Sequence, residues 1–262
     1  MNNENSKQKA RKAAIVIIPI VFALAITLTV ATMMNGGVNT PASGGISQPI
    51  QSTPLPVAGT PGEPTEPQYS IGLSFRANPD GTATVIGLGS CADKIVRIPA
   101  TSPDGDIVAA IGDSAFASVM KIDTVIMPDS IVSIGAYAFK GSSITEITVG
   151  SSVLSIGSAA FADCTGLTEI KVDGANPLFA SANGVLFDRE FRSLICYPSG
   201  RPDTSYTIPD TVKEIKAMAF SSCSALKKLK YGGNAKAWGT VYVASGNELL
   251  DSITIEVNTS DK

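Results

Sequence analysis

The chain has 262 residues, a net charge of −3, four cysteines and no histidine. Without histidine it loses the commonest general base, the Ser-His-Asp and Cys-His arrangements and the commonest transition-metal ligand. A mildly acidic balance argues against nucleic acid as a partner.

Residues 1–12 read as a basic cytoplasmic tail, with Lys7, Lys9, Arg11 and Lys12 opposed only by Glu4. Ala13–Met34 follows, 22 residues without a charge, and about 20 apolar residues cross a bilayer as a helix. The positive-inside rule keeps the N-terminus in the cytoplasm and sends the remainder outside. A cleavable signal peptide is the competing assignment, but its apolar core usually runs about 7–15 residues. Val30-Ala31-Thr32 is also an indifferent cleavage site. An uncleaved signal-anchor helix over residues 13–34 is therefore expected, and a secreted chain if cleavage occurs. The first 35 residues balance at +3, which leaves −6 on residues 36–262.

Residues 35–69 read as a disordered stalk. Asn35–Gln68 holds seven prolines and six glycines, a composition that cannot bury enough apolar surface to fold. Residues 70–98 are expected to form an N-terminal capping hairpin and strand. Ile71–Phe75 and Thr82–Leu88 flank Asn78-Pro79-Asp80-Gly81, a turn signal between two strand-like runs.

Repeats fill residues 99–230. One nine-residue phrase recurs at Val108–Phe116, Ile131–Phe139, Val153–Phe161 and Val212–Phe220, so the phenylalanines lie 23, 22 and 59 residues apart. A period of about 20–50 residues marks stacked repeats, in which no unit buries its own apolar face. Each Ala-Phe leads into spaced apolar positions, Cys164, Leu167, Ile170 and Val172 in the third copy and Cys223, Leu226, Leu229 and Tyr231 in the fourth. The last of these alternate, as in a half-buried strand. Pro128-Asp129-Ser130 and Pro209-Asp210-Thr211 turn the chain onto an opposite wall. Gly112, Gly135 and Gly157 are expected to turn it again by taking positive φ, although Lys216 occupies that place in the fourth copy. The Ala-Phe pair reads as packing, a small residue beside a ring that fills the coil.

This pattern, Val-x-x-Ile-Gly-x-x-Ala-Phe-x-x-Cys-x-x-Leu-x-x-Ile with a following Ile-Pro-Asp, resembles the BspA-like leucine-rich repeat of bacterial and protist surface proteins. The resemblance runs from about Ile71 to Val257. Asp173–Ser199 is similar to the family's long repeat variant, and an insert at 173–207 accounts for the 59-residue interval. Gly150 departs from the pattern where a corner proline is expected. The array also departs in being short, about five or six coils; the resemblance implies a mostly β repeat solenoid, a right-handed leucine-rich-repeat coil with parallel strands and short helical turns. Residues 231–262 look like its usual C-terminal cap, with Trp238 in the cap or core or else an exposed binding aromatic.

Outward positions of successive strands should align in rows. Thr124, Glu146, Glu169 and Lys228 form one, and Ile126, Thr148, Lys171 and Lys230 another. These eight residues are the candidate partner-binding face; ordinary solvated positions are the bland alternative. Asp104-Gly105-Asp106 lacks the further positions of a calcium loop, so no metal, cofactor or catalytic residue is assigned and no enzyme is expected. Cys164 and Cys223 read as core fillers, Cys91 and Cys196 have no repeat position, and free buried thiols are expected, with one bridge left open. The functional expectation is a membrane-anchored, extracytoplasmic, non-catalytic binding or adhesion module for a protein or glycan ligand. The alternative is a structural or regulatory ectodomain that partners other bacterial envelope proteins.

Overall fold

The computed structural model describes residues 69–258. The expected anchor at 13–34 and nearly all of the stalk lie outside the described residues. Among the described residues no helix is long and apolar enough to cross a membrane.

The chain winds as a mostly β solenoid with two strand-bearing walls. On the first wall the hairpin Ser74–Ala77 and Thr82–Gly87 pairs antiparallel, then Ile107–Ile111, Ser133–Ile134 and Ser155–Ile156 add in parallel. On the second, Ile95–Arg97, Thr124–Ile126, Glu146–Val149 and Glu169–Val172 form a parallel sheet. Beyond the insert, Ser205–Ile208, Lys228–Asn234 and Thr254–Asn258 form a second parallel sheet. The solenoid is thus longer than five or six coils, because the cap strand, the insert and the tail each contribute a parallel strand of their own.

The short helical turns expected in the repeats are absent from the Ala-Phe corners. Among the described residues the helices are Ala235–Trp238 and the 3-10 turn Glu248–Asp251, both in the C-terminal region. The corners instead carry two left-handed residues each: Ser114 and Ser118, Tyr137 and Gly141, Ala159 and Asp163, Met218 and Ser222. Alternation of hand interrupts any helical run and turns every second N–H along the solenoid. Ser114, Phe116 and Ser118 donate to the carbonyls of Ala136, Ala138 and Lys140 at 2.9, 2.7 and 2.8 Å. Tyr137, Phe139 and Gly141 donate onward to Ser158, Ala160 and Ala162 at 3.0, 2.8 and 2.9 Å.

This register superimposes the phenylalanines. Phe116 stacks on Phe139 at 5.3 Å between centroids and Phe139 on Phe161 at 5.6 Å, all three buried. Offset aromatic pairs contribute about 0.5–1.5 kcal/mol each beyond the area they bury. A further ring joins from within the insert: Tyr197 stacks on Phe220 at 5.4 Å, and its N–H reaches the Ala219 carbonyl at 2.9 Å. Tyr197 therefore holds the corner position of an irregular coil.

The insert divides the interior. Hairpin Phe179–Ala182 and Val185–Asp188 packs across the coil, sending Leu186 into the first apolar cluster and Val185 and Phe187 into the second. The core is accordingly two clusters joined at this hairpin. Two buried asparagines secure the irregular backbone. Asn176 donates to the Gly150 and Val153 carbonyls and accepts from the Leu178 and Phe179 N–H groups. Asn247 donates to the Lys216 and Ala244 carbonyls and accepts from Phe220, closing the last corner. Gly150, where proline was expected, makes the same turn: Val153 donates to its carbonyl as Ile131 does to Pro128.

The glycines after each Ile are required for a different reason from the one expected. None of Gly112, Gly135 and Gly157 has positive φ. A Cβ on Gly135 would come within 2.5 Å of the Asp113 nitrogen, and one on Gly157 within 2.3 Å of the Ala136 nitrogen. Backbones of adjacent coils meet there. Gly112 has more room, its nearest neighbour being the Val85 carbonyl at 3.1 Å. Lys216 follows the irregular coil, where no such glycine corner precedes it. Overpacking a tight site costs about 1–3 kcal/mol, so Gly157→Ala is expected to lower stability by that amount. Lys216→Ala, an exposed change, should alter it by less than about 0.5 kcal/mol. Urea unfolding of both variants checks this; equal effects would contradict the close-approach explanation.

Candidate functional site

The outward side chains of the second wall come from strands whose inward residues, Val125, Ile147 and Ile170, are buried in the first cluster. Alternation then places Thr124, Glu146 and Glu169 side by side in register, and Thr148 beside Lys171. Ile126 pairs with Arg97 and is 47% exposed. Six of the eight candidate residues therefore share one sheet. Lys228 and Lys230 do not join them. They pair with Ser205 and Thr207 on one side and Thr254 and Glu256 on the other, in the separate sheet beyond the insert. The row is broken because Ser205–Ile208 intercalates and because the N–H of Ile170 is taken by Gly184 of the hairpin.

Several charges on these sheets pair with one another. Lys171 lies 3.0 Å from Glu146 and 3.7 Å from Glu169, and Lys228 lies 2.6 Å from Glu256. The hydrogen bond that Lys171 donates to Glu146, followed by the charges of Glu146 and Glu169, raises the Lys171 pKa. The hydrogen bond from Lys228 lowers that of Glu256. These groups are exposed, so the pairs shape the surface more than they stabilise the fold.

The insert also opens a cleft on the first wall that the sequence did not disclose. Strand Ser155–Ile156 is an edge: it pairs with Ser133–Ile134, and among the described residues no strand continues the sheet beyond it. Next to it lies a cavity of about 590 Å³. Ile156, Phe161, Phe179 and Ile195 supply apolar lining; Ser158, Asp188, Glu214, Lys216 and Tyr242 are among its polar members. Glu214 is held by Lys216 at 2.7 Å, and Asp188 accepts from the N–H groups of Arg192 and Ser193 at 2.7 and 2.9 Å. Asp163 ties the third corner to the fourth, accepting from Ser221 and, at 2.7 Å, from Ser222, with Lys140 at 3.6 Å. Burial pushes its carboxyl up, but these hydrogen bonds and the lysine charge outweigh it and the net direction is down.

Four cysteines are free and buried. Cys164 donates to the Phe139 carbonyl at 3.0 Å and Cys223 to the Ser221 carbonyl at 3.5 Å. Trp238 is half-buried against the second cluster, 5.3 Å from Tyr231. Asp104-Gly105-Asp106 forms a turn, with Gly105 at φ 92°. Among the described residues no three His, Cys, Asp or Glu side chains converge as they would around a metal ion.

Coil geometry, register and repeat spacing agree with the comparison to known families. The chain belongs to the family of the BspA type leucine rich repeat region, whose model matches residues 100–180 and 199–261 in six copies. Among solved structures it is similar to the pneumococcal vaccine antigen PcpA, at 30% identity and a TM-score of 0.53 over 63% of this chain and 39% of that one. The chain thus spans about two fifths of that protein's length. A leucine rich cell surface protein from Faecalibacterium prausnitzii matches at 20% identity and TM-score 0.39, covering 71% of each chain. The leucine rich repeat protein of T. pallidum matches at 18% identity and TM-score 0.42, over 72% of this chain and 85% of that one. No curated protein matches the chain.

The thiols provide a solution test of the packing. Burial pushes Cys164 and Cys196 up, and Cys223 from the ordinary 9.0 to about 12. A thiol raised by folding stays protonated where the unfolded chain's thiol ionises. Its contribution is complete below the unfolded value and is lost as pH rises through the folded one. Unfolding free energy is therefore expected to decline between pH 9.0 and about 12, and less steeply in Cys223→Ala. An identical alkaline decline in that variant would contradict the burial of this thiol.

Proposed function

We propose that the chain is a membrane-anchored, extracytoplasmic and non-catalytic binding module. Its N-terminus would lie in the cytoplasm, residues 13–34 in the membrane and the repeats outside, held off the lipid by the proline-rich stalk. The observation that carries this reading is membership of a leucine-rich-repeat family together with an in-register sheet face. Thr124, Glu146 and Glu169 repeat at one strand spacing, about 4.8 Å, on a wall stiffened by the corners behind it. Such a face suits a protein or glycan patch. PcpA, similar to this chain over part of its length, is described as a vaccine antigen, which is in keeping with surface exposure here.

A second reading, a structural or regulatory ectodomain serving envelope partners, draws support from the self-paired charges. Glu146, Lys171 and Glu169 already satisfy one another, as a solvated surface with no charged ligand would.

Two measurements on intact cells test the proposal. Externally added protease is expected to degrade the repeats while leaving a cytoplasmic marker whole. Photo-cross-linking should capture a partner, and replacing Glu146, Glu169, Lys171 and Lys228 by alanine should cut capture severalfold. Protection of the repeats would contradict the topology; undiminished capture would remove the face.

A further inference from the structure

The first three corners share one backbone conformation, with Ser114, Tyr137 and Ala159 at φ 55, 56 and 54°. In the first two, the N–H at this position and the N–H two residues on cross to the next coil. In the third, the N–H groups of Ala159 and Phe161 meet no acceptor among the described residues. The strand beside this corner shows the complementary gap. The carbonyls of Ala109 and Ile111 receive Val132 and Gly135, and those of Val132 and Ile134 receive Leu154 and Gly157, all at 2.8 Å. The carbonyls of Leu154 and Ile156, next in the series, receive no donor among the described residues. Two acceptors and two donors thus stand unpaired along one stretch of chain, Leu154–Phe161. They face the direction in which earlier coils place their successor.

That direction holds the 590 Å³ cleft, lined by Ile156, Ala159, Phe161, Phe179 and Ile195. The long insert created it: instead of laying its next strand on Ser155–Ile156, the chain diverts into the hairpin that reaches Ile170. We propose that this cleft binds an extended peptide segment of a partner protein, which adds as a strand to the Ser155–Ile156 edge. Another extended backbone supplies N–H groups for the two carbonyls and carbonyls for the two N–H groups at one coil spacing. An apolar side chain of the peptide enters between Phe161 and Phe179, the alternate-residue pocket that distinguishes strand addition from a bare edge. The rim carboxylates are already engaged by Lys216 and by backbone N–H groups, so the site asks for an apolar rather than a charged peptide. The chain's own stalk is a poor occupant, since each of the seven prolines in Asn35–Gln68 lacks the N–H that the carbonyls require.

This proposal rests on the binding-module reading and names the chemistry of its partner. The probe is a cysteine-free random heptapeptide library displayed on phage, panned against the full chain in detergent micelles, with the most enriched peptide then synthesised. Single-residue hydrogen exchange is expected to slow at least tenfold at the Ala159 and Phe161 amides when that peptide is added. Ser158→Trp, which crowds the cleft from an exposed position, should weaken peptide binding at least tenfold without moving the thermal midpoint. The proposal is overturned if no peptide is enriched, or if an enriched peptide leaves both amides unchanged. It is also overturned if both amides are already protected in the free chain, which would mean that its own segment or a second copy fills the cleft. Partner capture on cells is read separately: capture without amide protection removes the cleft and leaves the binding module standing.

Discussion

The regular coils hand their corner N–H groups to the carbonyls of the next, and the rest of the structure depends on that transfer. It requires a residue of left-handed conformation on either side of the Ala-Phe pair, at positions where Ser, Tyr, Ala, Met and Asp all occur. Non-glycine residues take that conformation at a cost. Here the cost is offset by the backbone bonds between successive regular coils and by rings brought into register. Stacked phenylalanines and paired corners are one arrangement seen from inside and outside. The same transfer explains the glycines: coils close enough to exchange these bonds leave no space for a Cβ at Gly135 or Gly157.

The insert shows what happens when the cadence is interrupted. Tyr197 replaces a corner phenylalanine, Asn176 and Asn247 replace missing backbone partners, and the hairpin divides the core. Both walls resume beyond the hairpin, the first as the parallel strands Ser193–Cys196, Glu214–Ile215 and Tyr242–Val243, but Ser155–Ile156 keeps a free edge. The most irregular part of the sequence therefore borders the cleft beside Ser155–Ile156. That pairing suits a module in which regular coils supply stiffness and the irregular one supplies recognition.

Much of this architecture was legible in the sequence because period and burial are the same information in a solenoid. The positions counted from each phenylalanine, such as Cys164, Leu167 and Ile170, are buried where the count places them. Legibility failed where a residue acts through its neighbours in the next coil. Tyr197 belongs to the ring file but sits in Ile-Cys-Tyr-Pro, without the Ala-Phe phrase; its one signal was a small residue before an aromatic ahead of the next Ile-Pro-Asp. The glycines were recognised as special, yet their reason lies in a backbone 21 or 22 residues earlier. The candidate face was counted as one row, and Lys228 and Lys230 fell out of it because the insert contributes a strand that no repeat offset reveals.

Phe139 is the most direct probe of the stacked interior, since it touches a ring on each side and is fully buried. The measurement is the unfolding free energy of Phe139→Ala in denaturant, set against the unaltered chain. A stacked file predicts a loss of about 3–5 kcal/mol, the range for deleting a buried ring. A loss below about 1 kcal/mol, usual for a residue outside a packed core, would contradict it.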